Sequence, residues 1–159
     1  GQQATLADWE LHLSTLFPDA RLKQYVELRT ADAGPLDMVR ALPSLWRGLF
    51  YSQSSLQAAW RLCADWSVEE RAQLRADVPK RGFLAEVRGK SIAPLVEEMV
   101  QIAIAGLREL DSPGGVALLD PLLCRAKERR CPADDILAVW NEVGGNPRAF
   151  VEKTRIRID

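Results

Sequence analysis

Histidine is almost missing from this chain: His12 is the only one in 159 residues. A Ser-His-Asp triad or a histidine-rich metal site has almost nothing to be built from. Cysteine is scarce and odd in number, and Cys63, Cys124 and Cys131 show no C-x-x-C spacing. That usage argues for reduced thiols in a cytoplasmic compartment and against a structural zinc site. Charge of one sign is lacking too. A net charge of -1 gives no general pull toward nucleic acid or an anionic membrane. No apolar run approaches the roughly 18 residues needed to cross a bilayer, and no signal-peptide pattern opens the chain. Internal repeats and low-complexity tracts are absent. An initial Met is absent as well, and Gly1-Gln2-Gln3 reads as a tag remnant or a cut end.

What remains has an ordinary globular composition, 47% hydrophobic and 27% charged, in a chain long enough for one domain with a real core. Helical periodicity dominates. Thr5-Leu6-Ala7-Asp8 resembles a capping box opening a helix with Leu6, Trp9, Leu13 and Leu16 on one face. Phe17-Pro18-Asp19 ends it. After a turn at Asp32-Ala33-Gly34-Pro35, a second helix is expected over Leu36–Tyr51, broken or kinked at Pro43. Ser54–Trp66 reads as a third helix. Ser67-Val68-Glu69-Glu70 caps a fourth, expected to stop before Pro79. Lys80 to Lys90 reads as a basic loop, and Ser91–Leu110 as the longest helix, with Pro94 in its first turn. A loop at Asp111–Gly115 and three shorter helices near Val116–Arg129, Ala133–Val143 and Pro147–Lys153 complete the pattern.

Against that background one stretch is extended. From Leu22 to Arg29 the residues sort with the two-residue period of a strand. Leu22, Gln24, Val26 and Leu28 face one way; Lys23, Tyr25, Glu27 and Arg29 face the other. The first set suits packing against helices. The second places a carboxylate and a guanidinium about 6.5–7 Å apart on one face, room for a metal-bound phosphate between them. An ordinary ion pair on a solvated face is the alternative. A lone strand cannot satisfy its own backbone groups. Leu84–Val87 and Arg155–Ile158 are weak partners, so its partners are expected either in a small local sheet or, the favoured option, in sequence outside this chain.

Asp8-Trp9-Glu10-Leu11-His12-Leu13-Ser14-Thr15-Leu16-Phe17-Pro18, followed by Arg21 and then Tyr25-Val26-Glu27-Leu28-Arg29-Thr30-Ala31-Asp32, resembles the glutamate–cysteine ligase family in its plant and proteobacterial form. The family pattern is D-W-x-x-H-L-[ST]-T-[LI]-F-P, then R-x-x-x-Y-[LIV]-E-[LVM]-R-x-x-D. Ala41–Tyr51, Ala64–Arg71 and Val78-Pro79-Lys80 fall in the expected order, and the likeness runs from Thr5 to about Leu110. The resemblance implies an α+β, mostly helical fragment of a glutamine-synthetase-like ligase fold, one catalytic strand with about seven covering helices. Residues 1–159 would be the C-terminal portion of the catalytic domain.

Such enzymes use ATP and Mg²⁺ to join the γ-carboxylate of glutamate to the amine of cysteine, the first step of glutathione synthesis. By resemblance, Glu27 is a metal ligand and Arg29 the catalytic, phosphate-binding arginine. The remaining metal ligands are expected on an absent N-terminal part of the same protein, which leaves this piece inactive alone.

Other residues carry two readings each. Tyr25 can touch substrate or simply pack. Trp46 and Tyr51 can line a pocket mouth or belong to the core. Arg88, with Arg81 and Lys90, can bind phosphate or sit in a solvated loop. His12 can support the site or be structural, and Asp32 can orient Arg29 or serve its turn. Two other functions stay open: a related ligase with another amine acceptor, and a helical interaction module using the Trp-rich helices.

Overall fold

The computed structural model describes residues 3–32 and 34–155. Gly1 and Gln2 of the expected remnant, Ala33 of the expected turn and all but Arg155 of the candidate strand Arg155–Ile158 lie outside them. The chain divides into two compact units, Gly1–Ala33 and Gly34–Asp159. It is mostly helical, with two small antiparallel ribbons.

In the first unit, Thr5 and Asp8 cap α1 (Leu6–Thr15) reciprocally: the Thr5 amide donates to Asp8 Oδ2 at 2.7 Å and the Asp8 amide donates to Thr5 Oγ1 at 3.2 Å. The run after it is not the single strand that alternation predicts. It folds back as a hairpin, β1 (Ala20–Leu22) against β2 (Val26–Leu28), with Arg21 opposite Glu27. Lys23-Gln24-Tyr25 forms the bend, closed by the Lys23 amide donating to the Tyr25 carbonyl at 2.8 Å. Strand partners are therefore local, contrary to the favoured expectation. Nor is the apolar face sealed: Leu22 is 82% and Val26 63% exposed, and no described residue of this unit is buried.

The second unit is built on α2 (Leu36–Phe50) and α5 (Ala93–Glu109). Two glycines bring their backbones together. A Cβ on Gly48 would stand 2.2 Å from the Ala103 carbonyl oxygen, and one on Gly106 would stand 2.0 Å from that of Gly48. Ala41, Leu49, Val100, Ala103, Ile104, Leu107 and Leu119 form the core around this crossing. α3 (Gln53–Arg61) joins it through Ser55, whose buried hydroxyl donates to the Ile102 carbonyl at 3.0 Å. The Ser52 and Ser54 hydroxyls both donate to the Glu109 carboxylate, at 2.5 and 2.6 Å, and hold it below the usual carboxylate range. α6 (Pro113–Ala117) and α7 (Asp120–Glu128) close the bundle, and α6 occupies part of the expected loop.

Two prolines do less than expected. α2 runs unbroken through Pro43, and α4 (Val68–Arg81) passes Pro79 before Gly82 stops it at φ +51°. Both prolines are exposed, and Pro79 is close enough to the helix end that only one terminal hydrogen bond is forfeited. The Ser67–Glu70 capping box is present as read. α3 stops at Arg61, five residues short of Trp66.

The stretch expected as a basic loop is ordered: a 3-10 turn at Gly82–Leu84, then β3 (Glu86–Val87) paired with β4 (Lys90–Ser91). Arg88 at φ 53° and Gly89 at φ 70° make the two-residue left-handed turn that suits a tight hairpin. α8 (Pro132–Glu142) and α9 (Pro147–Thr154) pair edge-to-face through Trp140 and Phe150, with ring centroids 5.3 Å apart.

Gly106→Ala should cost at least about 2 kcal/mol, because the added methyl meets backbone that cannot retreat. Gly114→Ala, in α6 with open space at its Cβ, should change stability by no more than about 0.5 kcal/mol or improve it slightly. Urea unfolding midpoints check both, and equal costs would contradict the close helix crossing.

Candidate functional site

The hairpin sets out its charged groups through the β1–β2 register. Because Arg21 stands opposite Glu27, its guanidinium reaches across the ribbon: Nε donates to Glu27 Oε2 at 2.8 Å, and Nη2 approaches the same oxygen at 2.7 Å. Nη1 of Arg21 also donates to the Ser14 carbonyl at 3.3 Å, satisfying an acceptor in the last turn of α1. One arginine therefore ties helix, strand and carboxylate together.

Arg29 lies one residue past β2. Its amide donates to the Asp19 carbonyl at 2.9 Å, extending the ladder beyond both strands. Its guanidinium is near the other carboxylate oxygen, Nη1 being 3.8 Å from Glu27 Oε1. The Cζ atom stands 4.6 Å from the centroid of the Phe17 ring, a cation–π contact that steadies the side chain without consuming its N–H donors. Glu27 and Arg29 thus share one side, as the two-residue period indicates.

Arg21 holds the Glu27 carboxyl below its ordinary range, chiefly by hydrogen bonding, with smaller help from the charges of Arg29 and Lys23. The carboxylate is kept ionised, and the Arg29 donors not facing Glu27 suit an anion such as a phosphate. The same cluster does not by itself fit Mg²⁺: one carboxylate is flanked by two guanidiniums. Among the described residues no three His, Cys, Asp or Glu side chains group to hold a metal ion.

The other candidates have surroundings of their own. Tyr25 is exposed at the bend, and Asp32 is exposed beyond the hairpin. His12 sits on α1 with its ring 5.7 Å from that of Trp9. In the second unit, Trp46 stacks on Phe50 at 5.5 Å and packs against the core, whereas Tyr51 is 77% exposed at the end of α2.

Arg88 is held on two sides. Nε and Nη2 clasp both Glu70 oxygens at 2.6 and 2.9 Å; Nη1 reaches Asp65 Oδ2 at 2.7 Å and Nη2 the Asp65 carbonyl at 2.6 Å. Hydrogen bonding from Arg88 is the main reason both carboxyls lie below their ordinary values. Arg81 pairs with Glu86 at 3.4 Å, and Lys90 is exposed on β4. Sequence reasoning missed Arg21 and Phe17 as parts of the site. The signal for Arg21 was its six-residue spacing from Glu27, which a three-residue bend turns into a cross-strand pair.

A carboxylate and an arginine presented side by side by a short ribbon are what the hairpin geometry provides. The family match is more specific. Residues 1–152 match the family described as glutamate-cysteine ligase family 2 (GCS2), and the chain belongs to that family. It is 45% identical over 107 residues to glutamate–cysteine ligase A, chloroplastic, of Oryza sativa subsp. indica, covering 67% of this chain and 22% of that protein. With the chloroplastic glutamate–cysteine ligase of Solanum lycopersicum it shares 43% identity over 107 residues, 67% of this chain and 20% of the relative. With that of Brassica juncea it shares 37% over 141 residues, 89% and 27% respectively. The chain thus spans about a quarter of the length of these relatives. No helix among the described residues is long and apolar enough to cross a membrane.

Two outcomes follow from the pairing. Arg21→Ala should raise the Glu27 carboxyl titration by more than Arg29→Ala does, read from the side-chain carboxyl carbon by NMR; the reverse order would contradict the geometry. Asp65 and Glu70 are depressed from 3.8 and 4.5, so their contribution to stability is present above those values and is lost as pH falls through the lowered folded ones. Arg88→Met should therefore lower the thermal midpoint at pH 7, and the gap to wild type should close as pH falls below about 4. A gap that persists in acid would mean Arg88 acts by packing alone.

Proposed function

We propose that this chain supplies part of the ATP-handling wall of a glutamate–cysteine ligase, within a longer protein of glutamine-synthetase-like fold. The reaction is ATP- and Mg²⁺-dependent joining of the glutamate γ-carboxylate to the cysteine amine. The observation that carries the reading is the placement of Glu27 and Arg29 on one side of the hairpin, with Arg29 resting on Phe17 and Glu27 secured by Arg21.

The chemistry calls for such an arginine. A carboxylate is a poor electrophile, so the γ-phosphoryl group of ATP is first transferred to it, giving an acyl phosphate and ADP. The cysteine amine then attacks the acyl carbon, the C–O bond to phosphate breaks, and the amine loses a proton. Charge spreads over the equatorial phosphoryl oxygens during transfer. A preplaced guanidinium offsets that charge without having to reorganise. Bound Mg²⁺ would supply further charge compensation, but Glu27 offers it only the oxygen that Arg21 leaves open. The remaining ligands would come from outside these residues, and the 159 residues alone are proposed to be inactive. Tyr25 and Tyr51, both exposed, remain proposed substrate contacts, with Trp46 a weaker one because it packs on the core. Phosphate binding by Arg88 has least support, since Asp65 and Glu70 engage its donors.

The partner is proposed to be the rest of the same longer protein. Leu6, Trp9, Leu13 and Leu16 form the apolar stripe of α1, yet all are exposed, as are Leu22 and Val26. A stripe of that kind needs a surface to cover it, and a longer chain, of the length the relatives have, is proposed to provide one. Exposed Trp60 and Trp140 favour a second reading, a helical interaction surface. No described residue is assigned to the thiol of cysteine, so a different amine acceptor is the nearest variant of the first reading. Three unpaired cysteines accord with a reducing compartment, proposed as cytoplasmic.

In the longer enzyme, Arg29→Ala should lower kcat by about 10²–10³, the scale of one preorganised donor. Arg29→Lys should recover little, lacking the planar fork. Release of ADP with glutamate and cysteine is the assay, and wild-type turnover in Arg29→Ala would rule the role out.

A further inference from the structure

Phe17 has no core to belong to: it is 74% exposed, and no described residue of its unit is buried. A large aromatic left in that state does little for folding. Its ring instead faces Arg29, whose Cζ stands 4.6 Å from the ring centroid and whose side chain is only 22% exposed. The backbone delivers the ring to that place. Pro18 fixes its own φ and pushes Phe17 toward extended geometry. Directly after it, the Asp19 carbonyl accepts the Arg29 amide at 2.9 Å, so the segment that bears the ring is anchored to the residue the ring touches.

The other contacts described for Arg29 leave the plane of its guanidinium open. The amide bond sets only the backbone. Glu27 Oε1 lies 3.8 Å from Nη1, too far for a hydrogen bond, so the carboxylate attracts the group without orienting it. A ring face does orient it, and a contact centred on Cζ leaves the N–H donors free. Arg21 shows the alternative. Its Nε and Nη2 close on Glu27 Oε2 at 2.8 and 2.7 Å, and an arginine engaged in that way has two donors fewer for a phosphate.

On the basis of the phosphate-binding role proposed for Arg29, we propose that Phe17 is a positioning residue for the same reaction. Its ring holds the Arg29 guanidinium off Glu27 and in a fixed plane, with the donors turned toward the transferred phosphoryl group.

The test is a double-mutant cycle in the longer enzyme, read as ADP release with glutamate and cysteine. Phe17→Leu, which keeps an apolar side chain and removes the ring, should lower kcat about three- to tenfold, the scale of a cation–π contact at a partly exposed site. KM for glutamate and for cysteine should stay unchanged. Phe17→Tyr, which keeps the ring face, should restore kcat to within about twofold of wild type. Adding Phe17→Leu to Arg29→Ala should cost nothing further, because the ring then has no guanidinium to hold. Wild-type kcat in Phe17→Leu, an equal loss in Phe17→Tyr, or a full further loss on top of Arg29→Ala would each overturn the positioning role. A loss in Arg29→Ala with none in Phe17→Leu overturns it while the role of Arg29 stands; wild-type turnover in Arg29→Ala overturns both.

Discussion

The Arg21–Glu27 pair is the contact on which the N-terminal unit depends. With three residues per strand and no buried side chain, the ribbon has few other cross-strand contacts to fix its register. A guanidinium that spans the strands and also reaches the last turn of α1 sets that register, and register decides where Arg29 emerges. The pair does electrostatic work as well. By holding Glu27 ionised and occupying one of its oxygens, Arg21 leaves Arg29 against the remaining oxygen and the Phe17 face. Ion pairs in contact with solvent contribute little to stability, and this one is only partly buried. Here the pair matters for geometry more than for energy.

The second unit follows a different constraint, the approach of α2 to α5 at Gly48 and Gly106. Small residues let the backbones meet, and the Ser55 hydroxyl, donating to the Ile102 carbonyl, ties α3 to the same crossing. Larger side chains sit to either side.

Much of this was legible in the chain because capping and periodicity are local. Thr5 with Asp8, and Ser67 with Glu70, announce their helices within four residues. The stripe from Val96 to Leu107 announces α5. The placement of Glu27 and Arg29 on one side was also legible, since a period of two survives as long as the backbone stays extended. The bend at Lys23-Gln24-Tyr25 was not, because it contains none of the glycine, proline, asparagine or aspartate that mark turns. Arg88-Gly89 carried half of a turn signal inside a run that read as loop. Pro79 was given too much weight: one lost hydrogen bond near a helix end is a small cost against the contacts of α4 with the turn and hairpin that follow.

A structure of the longer enzyme with a non-hydrolysable ATP analogue bears most directly on the central claim, that the hairpin presents Arg29 to the transferred phosphoryl group. The account predicts an Arg29 nitrogen about 2.7–3.2 Å from a terminal phosphate oxygen, with Arg21 still on Glu27. An Arg29 that stays against Phe17 and Glu27 while the phosphates bind elsewhere would contradict it.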